Sequence, residues 1–181
     1  MEPSLARGGS ARDAASREFE ALVQPWVEEM HRLAATIVGP HDARDVTQDA
    51  LVIAWTRLAS LRRRDDPRPW LHAIVVNQCR QLLRTQRRRP RWLDIAETGI
   101  ADRAGVTPDA SHALAERDRL DRAFGLLDVE HRAALALHYV VDLTVPQIAV
   151  VLGIREGTVK SRIHAAVQRM RDELERQDAR P

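Results

Sequence analysis

Residues 142–174, DLTVPQIAVVLGIREGTVKSRIHAAVQRMRDEL, leave few folds open. Two helical patterns meet at Gly153. The first carries Ile148, Val151 and Leu152 as its apolar positions. The second carries Val159, Ile163, Val167, Met170 and Leu174, a spacing that gathers them on one helix face. Thr144 with Gln147 three residues on has the spacing of a capping box, and Pro146 falls in a first turn, where a missing N–H costs least. A short helix, a glycine turn and a longer helix with basic residues near its start make a helix-turn-helix. That arrangement commonly seats its second helix in a DNA major groove.

The remainder of the chain favours helices as well. Its 181 residues have room for one ordinary domain or two small ones. Two Phe and one Tyr leave the core to aliphatic side chains, and the many Ala, Leu, Arg and Glu residues predict an all-α protein. The formal charge is only +2, so any nucleic-acid face must come from how charge is distributed. All but one of the 28 basic residues are Arg, a bias that GC-rich codon usage would produce. A single cysteine excludes an internal disulfide framework and a cysteine-only metal site. No stretch reaches the roughly 18 apolar residues of a membrane span, and the N-terminus lacks the apolar core of a signal peptide. The expectation is a soluble, cytoplasmic protein without membrane insertion.

Residues 1–16 mix Pro, Gly, Ser, Ala and charges without period and read as a disordered tail. A helical pattern then runs to Gly39-Pro40, with Pro25 predicting a kink or break near Gln24. The next helix, about residues 41–60, has Val46, Ala50 and Ile53 in one apolar row and Leu51, Trp55 and Leu58 in another. Asp45, Gln48 and Asp49 cluster on another side. Acids near a helix start suit the dipole, which suffices for Asp42, but the set of three reads as a docking face for a basic partner. After a charged loop at residues 62–66, Pro67 and Pro69 predict a helix over about residues 68–89. Its stripe of Asn77, Arg80, Gln81, Arg84, Arg87 and Arg88 is one-signed, and six arginines with no acid lie between Arg80 and Arg91. Such a stripe suits a phosphate backbone. Cys79, on the opposite apolar face, reads as an inert buried thiol. Residues 91–112 lose periodicity and turn acidic, as an interdomain linker would. A second domain over residues 113–176 then opens with a helix placing Leu114, Leu120, Phe124 and Leu127 inward, and Asp128 caps the next one.

In this order the parts resemble bacterial sigma factors of the sigma-70 family, and among them the two-domain extracytoplasmic-function (ECF) group. DARDVTQDALVIAW, residues 42–55, is similar to the family's polymerase-binding helix. RPWLHAIVVNQCRQLLR, residues 68–84, is similar to its promoter-melting helix. GIREGTVKSRIHAAVQRMR, residues 153–171, is close to its most recognisable segment. Gln81 and Gln147 stand where acids are common in the family, and Arg155 stands where Pro or Ser is common.

The resemblance implies two helical domains, sigma region 2 over residues 17–90 and sigma region 4 over residues 113–176. It implies a non-enzymatic protein that needs no cofactor or metal, joins RNA polymerase core and directs it to promoter DNA. Asp45, Gln48 and Asp49 would meet the clamp helices of the largest polymerase subunit, with the flap region a second contact. Arg64, Asn77, Arg80, Arg84 and Arg88 would bind the −10 side of the promoter. Arg155, Glu156, Thr158, Lys160 and Arg162 would read the −35 side. An anti-sigma factor is an expected partner by family habit. The rival reading is a stand-alone helix-turn-helix regulator, which gives the acidic helix and the Arg stripe no purpose. A metal phosphohydrolase built on His41, Asp42, Asp45 and Asp49 lacks further ligands.

Overall fold

A computed structural model describes residues 6–88 and 108–179, with side chains described for residues 13–86 and 116–179. Among these there is no β-strand. Helix α1 covers Ala6–Val23, α2 Val27–Val38, α3 Pro40–Thr56, α4 Arg68–Arg88, α5 Pro108–Gly125, α6 Val129–Tyr139, α7 Val145–Leu152 and α8 Glu156–Asp178. The first helix begins at Ala6, inside the stretch expected to be a tail, where alanine and arginine are good helix formers. Most of the expected linker lies outside the described residues, and α5 already begins at Pro108.

Proline and glycine punctuate the first unit. Pro25 sits in a single 3-10 turn, Gln24–Trp26, which separates α1 from α2 without unfolding the chain. Gly39 closes α2 at φ 94°, a conformation open to glycine, and its N–H donates to the Ala35 carbonyl at 3.0 Å. Pro40 then starts α3. Helices α2, α3 and α4 pack as a bundle around Met30, Leu33, Ile37, Val46, Leu71, Val75 and Cys79. Ala43, Ala50 and Ala54 are fully buried, and such small side chains let α3 lie close to its neighbours. The buried hydroxyl of Thr47 donates to the Ala43 carbonyl at 2.7 Å, so its burial leaves no orphaned polar group. Trp55 departs from the expected inward row. It is 41% exposed and meets Phe19 edge-on, ring centroids 5.1 Å apart.

The second unit follows its local signals closely. Asp128 caps α6, accepting from the His131 backbone N–H at 3.0 Å. The Thr144 backbone N–H donates to Oε1 of Gln147 at 2.9 Å, the reciprocal half of a capping box. Gly153 ends α7 in the left-handed conformation at φ 66°. Leu120, expected inward, is 46% exposed, while Ala123 and Leu127 of the same segment are buried.

The two units share one core. Ala133, Ala134 and Leu137 of α6, Val141, Leu143 and Ile148 belong to the same buried cluster as the α2–α4 bundle. Helix α6 packs on α2, and α7 packs on α4. Helix α4 contributes to both sides of this core: it buries His72 and Val76 beside the expected Leu71, Val75 and Cys79, and His72 lies against Glu29 of α2.

Candidate nucleic-acid interface

The acidic face forms as the spacing predicts. Asp45, Gln48 and Asp49 are all exposed on α3, and with Gln78, Gln81 and Thr85 of α4 the two aspartates border a shallow cleft. Asp42 borders the same cleft and accepts a hydrogen bond from the Gln86 amide at 2.9 Å.

The basic stripe on α4 is divided. Asn77 and Arg84 are exposed. The side chain of Arg88 lies outside the described residues. Arg64 is exposed in the loop before α4 and pairs with Glu18 of α1. Arg80 turns away from water. Its Nη1 donates to the Asn77 side-chain oxygen at 3.0 Å, while Nε and Nη2 grip the two carboxylate oxygens of Glu130 at 2.8 and 2.7 Å. This bidentate fork is the geometry a guanidinium uses for phosphate.

At the start of α8, Arg155, Glu156, Thr158 and Lys160 are exposed, and Val159 between them is fully buried. Burial of Val159 orients the helix, so its neighbours project from the surface at the positive end of the helix dipole. Arg155 is the N-cap in an extended conformation, and its carbonyl accepts from the N–H groups of Thr158 and Val159. Arg162 is different. It is half-buried, and its Nη1 donates to Oε2 of Glu130 at 2.6 Å. Glu130 therefore binds one predicted DNA-contacting arginine from each unit. Burial acts to raise its pKa, but the bond and charge of Arg80, with Arg162 beside them, outweigh that and hold it below the usual carboxylate range.

A second charged group sits where the units meet. Arg68 at the start of α4 pairs with Glu29 through Nε and Nη2 at 2.7 and 2.9 Å. The same Nη2 donates to the Val141 carbonyl at 2.6 Å, and Arg68 lies over the Trp26 ring. From α6, Nη1 of Arg132 donates to the Ile37 carbonyl at 3.1 Å. His72 is fully buried beneath Glu29. Burial pushes the Cys79 thiol up to about 12, which leaves it unreactive as expected. His131 and His138 are held by Asp128 and by the Leu143 carbonyl, and no cluster among the described residues has the makings of a metal site.

Glu130, Glu29, Arg68 and His72 escaped the reading of the sequence. A single acid in a helix's first turn looks like an ordinary dipole partner, so Glu130 gave no signal. His72 did: with Val75, Val76 and Cys79 it sits at helical spacing on the apolar side. A further feature is an apolar groove of about 470 Å³ lined by Phe124, Leu135, Tyr139, Val140, Val167 and Met170 among others. Tyr139 and Val140, at its edge, are 67% and 38% exposed.

Fold and charge together define the class: an all-helical protein in which a three-helix bundle with an acidic face precedes a helix-turn-helix. Residues 22–89 match the pattern described as Sigma-70 region 2, and residues 117–170 match Sigma-70, region 4. The ECF RNA polymerase sigma factor SigL of Mycobacterium tuberculosis is 32% identical over 173 residues, covering 92% of this chain and 94% of the relative. SigM of the same organism is 35% identical over 153 residues, covering 84% and 74%. Among solved structures, CnrH in complex with the cytosolic domain of CnrY superposes with a TM-score of 0.62 at 28% identity, covering 91% of this chain and 94% of that one. The sigma factor RpoE of Bartonella quintana, solved with the anti-sigma factor NepR, gives 0.66 at 21% identity, covering 88% and 98%, a likeness of fold. The chain belongs to the ECF sigma factors of the sigma-70 family.

Proposed function

We propose that this protein is an alternative sigma factor that joins RNA polymerase core, recognises −10 and −35 promoter elements and helps open the DNA, without catalysing a reaction of its own. The observation that carries this reading is the pairing of a region 2 match with a region 4 match in one chain, in that order. The exposed acids of α3 and the exposed basic start of α8 support it. Asp45, Gln48 and Asp49 contribute the polymerase contact, where complementary charge sets partner choice and association rate as much as affinity. Arg64, Asn77, Arg80, Arg84 and Arg88 serve the −10 side. There a base must leave the stack, at a cost of a few kcal/mol that backbone contacts offset. Arg155, Glu156, Thr158, Lys160 and Arg162 serve the −35 side from the major groove.

The apolar groove between α5, α6 and α8 supports docking of a partner's apolar helix, either the polymerase flap region or an anti-sigma factor. No described helix is long and apolar enough to cross a membrane.

Run-off transcription with purified core polymerase on genomic DNA tests the function. The expected result is a set of transcripts that depend on this protein and share two upstream motifs. Sequence-specific DNA binding without any core-dependent transcript would instead identify a stand-alone helix-turn-helix regulator.

A further inference from the structure

The apolar groove of about 470 Å³ is bounded by both units. Phe124 of α5, Leu135 of α6, Val140 just after it, and Val167 and Met170 of α8 form most of its lining, and Thr36 of α2 adds a wall from the first unit. The Thr36 hydroxyl is already committed, donating to the Arg32 carbonyl at 2.9 Å. The other polar side chains in the lining are Tyr139 and Arg171. Both are exposed, and neither makes a hydrogen bond or an ion pair among the described residues. A second hollow shares Thr36, Phe124, Val140 and Met170 with the first and adds Arg117 and Arg132 against one acid, Asp121. Three arginines to one aspartate around the two openings favour an anionic occupant.

We propose that this groove is a binding site for a free long-chain fatty acid, its alkyl chain lying between α2, α5, α6 and α8 and its carboxylate meeting Arg171 and Tyr139. The volume and the apolar lining are those of a small-molecule site. A partner's helix, about 10–12 Å across with its side chains, enters such a space by one face only, whereas a single alkyl chain is enclosed whole. Water there finds few hydrogen-bond partners, so its displacement by methylenes is favourable. The Arg171 guanidinium offers the carboxylate charge-assisted hydrogen bonds, and the Tyr139 hydroxyl donates one more. Because α2 supplies one wall and the second unit the others, the bound chain touches both units and stabilises the folded protein as they are docked.

The test is calorimetric titration of the full-length protein with hexanoate, octanoate, decanoate, dodecanoate and tetradecanoate, each below the concentration at which it forms micelles. Binding is expected at one chain per protein, tightening roughly 15-fold for each added pair of methylenes until the groove is filled. Saturating dodecanoate is expected to raise the melting temperature. Arg171→Ala is expected to weaken dodecanoate about tenfold and to leave dodecanol, which carries no charge, unchanged. Val140→Asp places a charge in the wall at a position already 38% exposed, and is expected to abolish binding of every chain. Circular dichroism verifies that both variants are folded. Absence of binding across the series would overturn the proposal and leave the groove to a partner's helix. Several chains per protein, tightening without a plateau, would show adsorption to the surface and overturn it too. Wild-type dodecanoate affinity in either variant would do the same. A dimer in size-exclusion chromatography that Val140→Asp abolishes, with no dodecanoate bound, would assign the groove to a second copy of the chain instead.

Discussion

His72 lies fully buried with Nε2 2.9 Å from the Glu29 carboxylate, yet neither ring nitrogen makes a well-directed hydrogen bond. Burial is the main influence on the ring and, with the Arg68 charge, outweighs the attraction of Glu29 and Asp66, pushing its pKa down to about 4. The native state therefore keeps the ring neutral where the unfolded chain protonates it, from about 6.5 downward. Stability is fully present above that value and falls as pH drops toward 4. The loss from this one group is about 2 kcal/mol at pH 5 and roughly 3 kcal/mol at pH 4. Urea denaturation at pH 7 and pH 5 measures it. His72→Leu is expected to flatten that part of the pH dependence, and an unchanged slope in the variant would locate the acid sensitivity elsewhere.

Gly153 and Gly157 look alike in sequence and differ in conformation. At Gly153 the positive φ of 66° is strained for any side chain, although a Cβ would meet nothing within 4 Å. Gly153→Ala should cost about 1–2 kcal/mol from the backbone alone, lowering the melting temperature by several degrees. Gly157 lies in the first turn of α8, also with open space around it. Gly157→Ala should raise stability by about 0.4–1 kcal/mol. Differential scanning calorimetry of the two variants checks both signs.

Reversing one charge on α3 should separate polymerase binding from folding. Asp45 and Asp49 are exposed and one helical turn apart, so they repel by a few tenths of a kcal/mol. Asp49→Arg relieves that repulsion and is expected to leave the melting temperature unchanged or slightly higher. In size-exclusion chromatography with core polymerase it should no longer co-elute. Co-elution at the wild-type level would remove this face from the polymerase contact.

The start of α8 should govern the −35 side alone. In the assembled holoenzyme, Arg155→Ala and Arg162→Ala should each weaken binding to a −35 element by about 1–3 kcal/mol, roughly 5- to 150-fold, if they contact bases. Lys160→Ala should weaken all sequences alike and lower the salt slope by about one, as a phosphate contact does. Gel shifts measure these losses, and pull-down of core polymerase should remain at wild-type level. Equal losses in both assays would end the division of labour between the units.

Local signals were legible from the chain because they act over a few residues. Thr144 and Gln147 meet as their spacing requires, Asp128 caps α6, and Gly153 takes the turn that needs it. The acidic set on α3 and the arginines of α4 were found by the same helical arithmetic. Trp55 was misread because periodicity marks a face without saying where the bundle ends. Its row runs past the edge of the core, and the ring finishes against Phe19. Glu130 left no mark because its partners lie 50 and 32 residues away.

The sequence by itself determined the helices, their caps, the order of a basic-striped bundle and a helix-turn-helix, and hence the family. Periodicity and capping are properties of neighbouring residues, and a family is a pattern of such segments. Only the tertiary structure decided that the two units share one core, that His72 is buried beside a carboxylate, and that Arg80 and Arg162 meet at Glu130. Those outcomes depend on α6 packing on α2 and α7 on α4, contacts between residues far apart in the chain that no local pattern specifies.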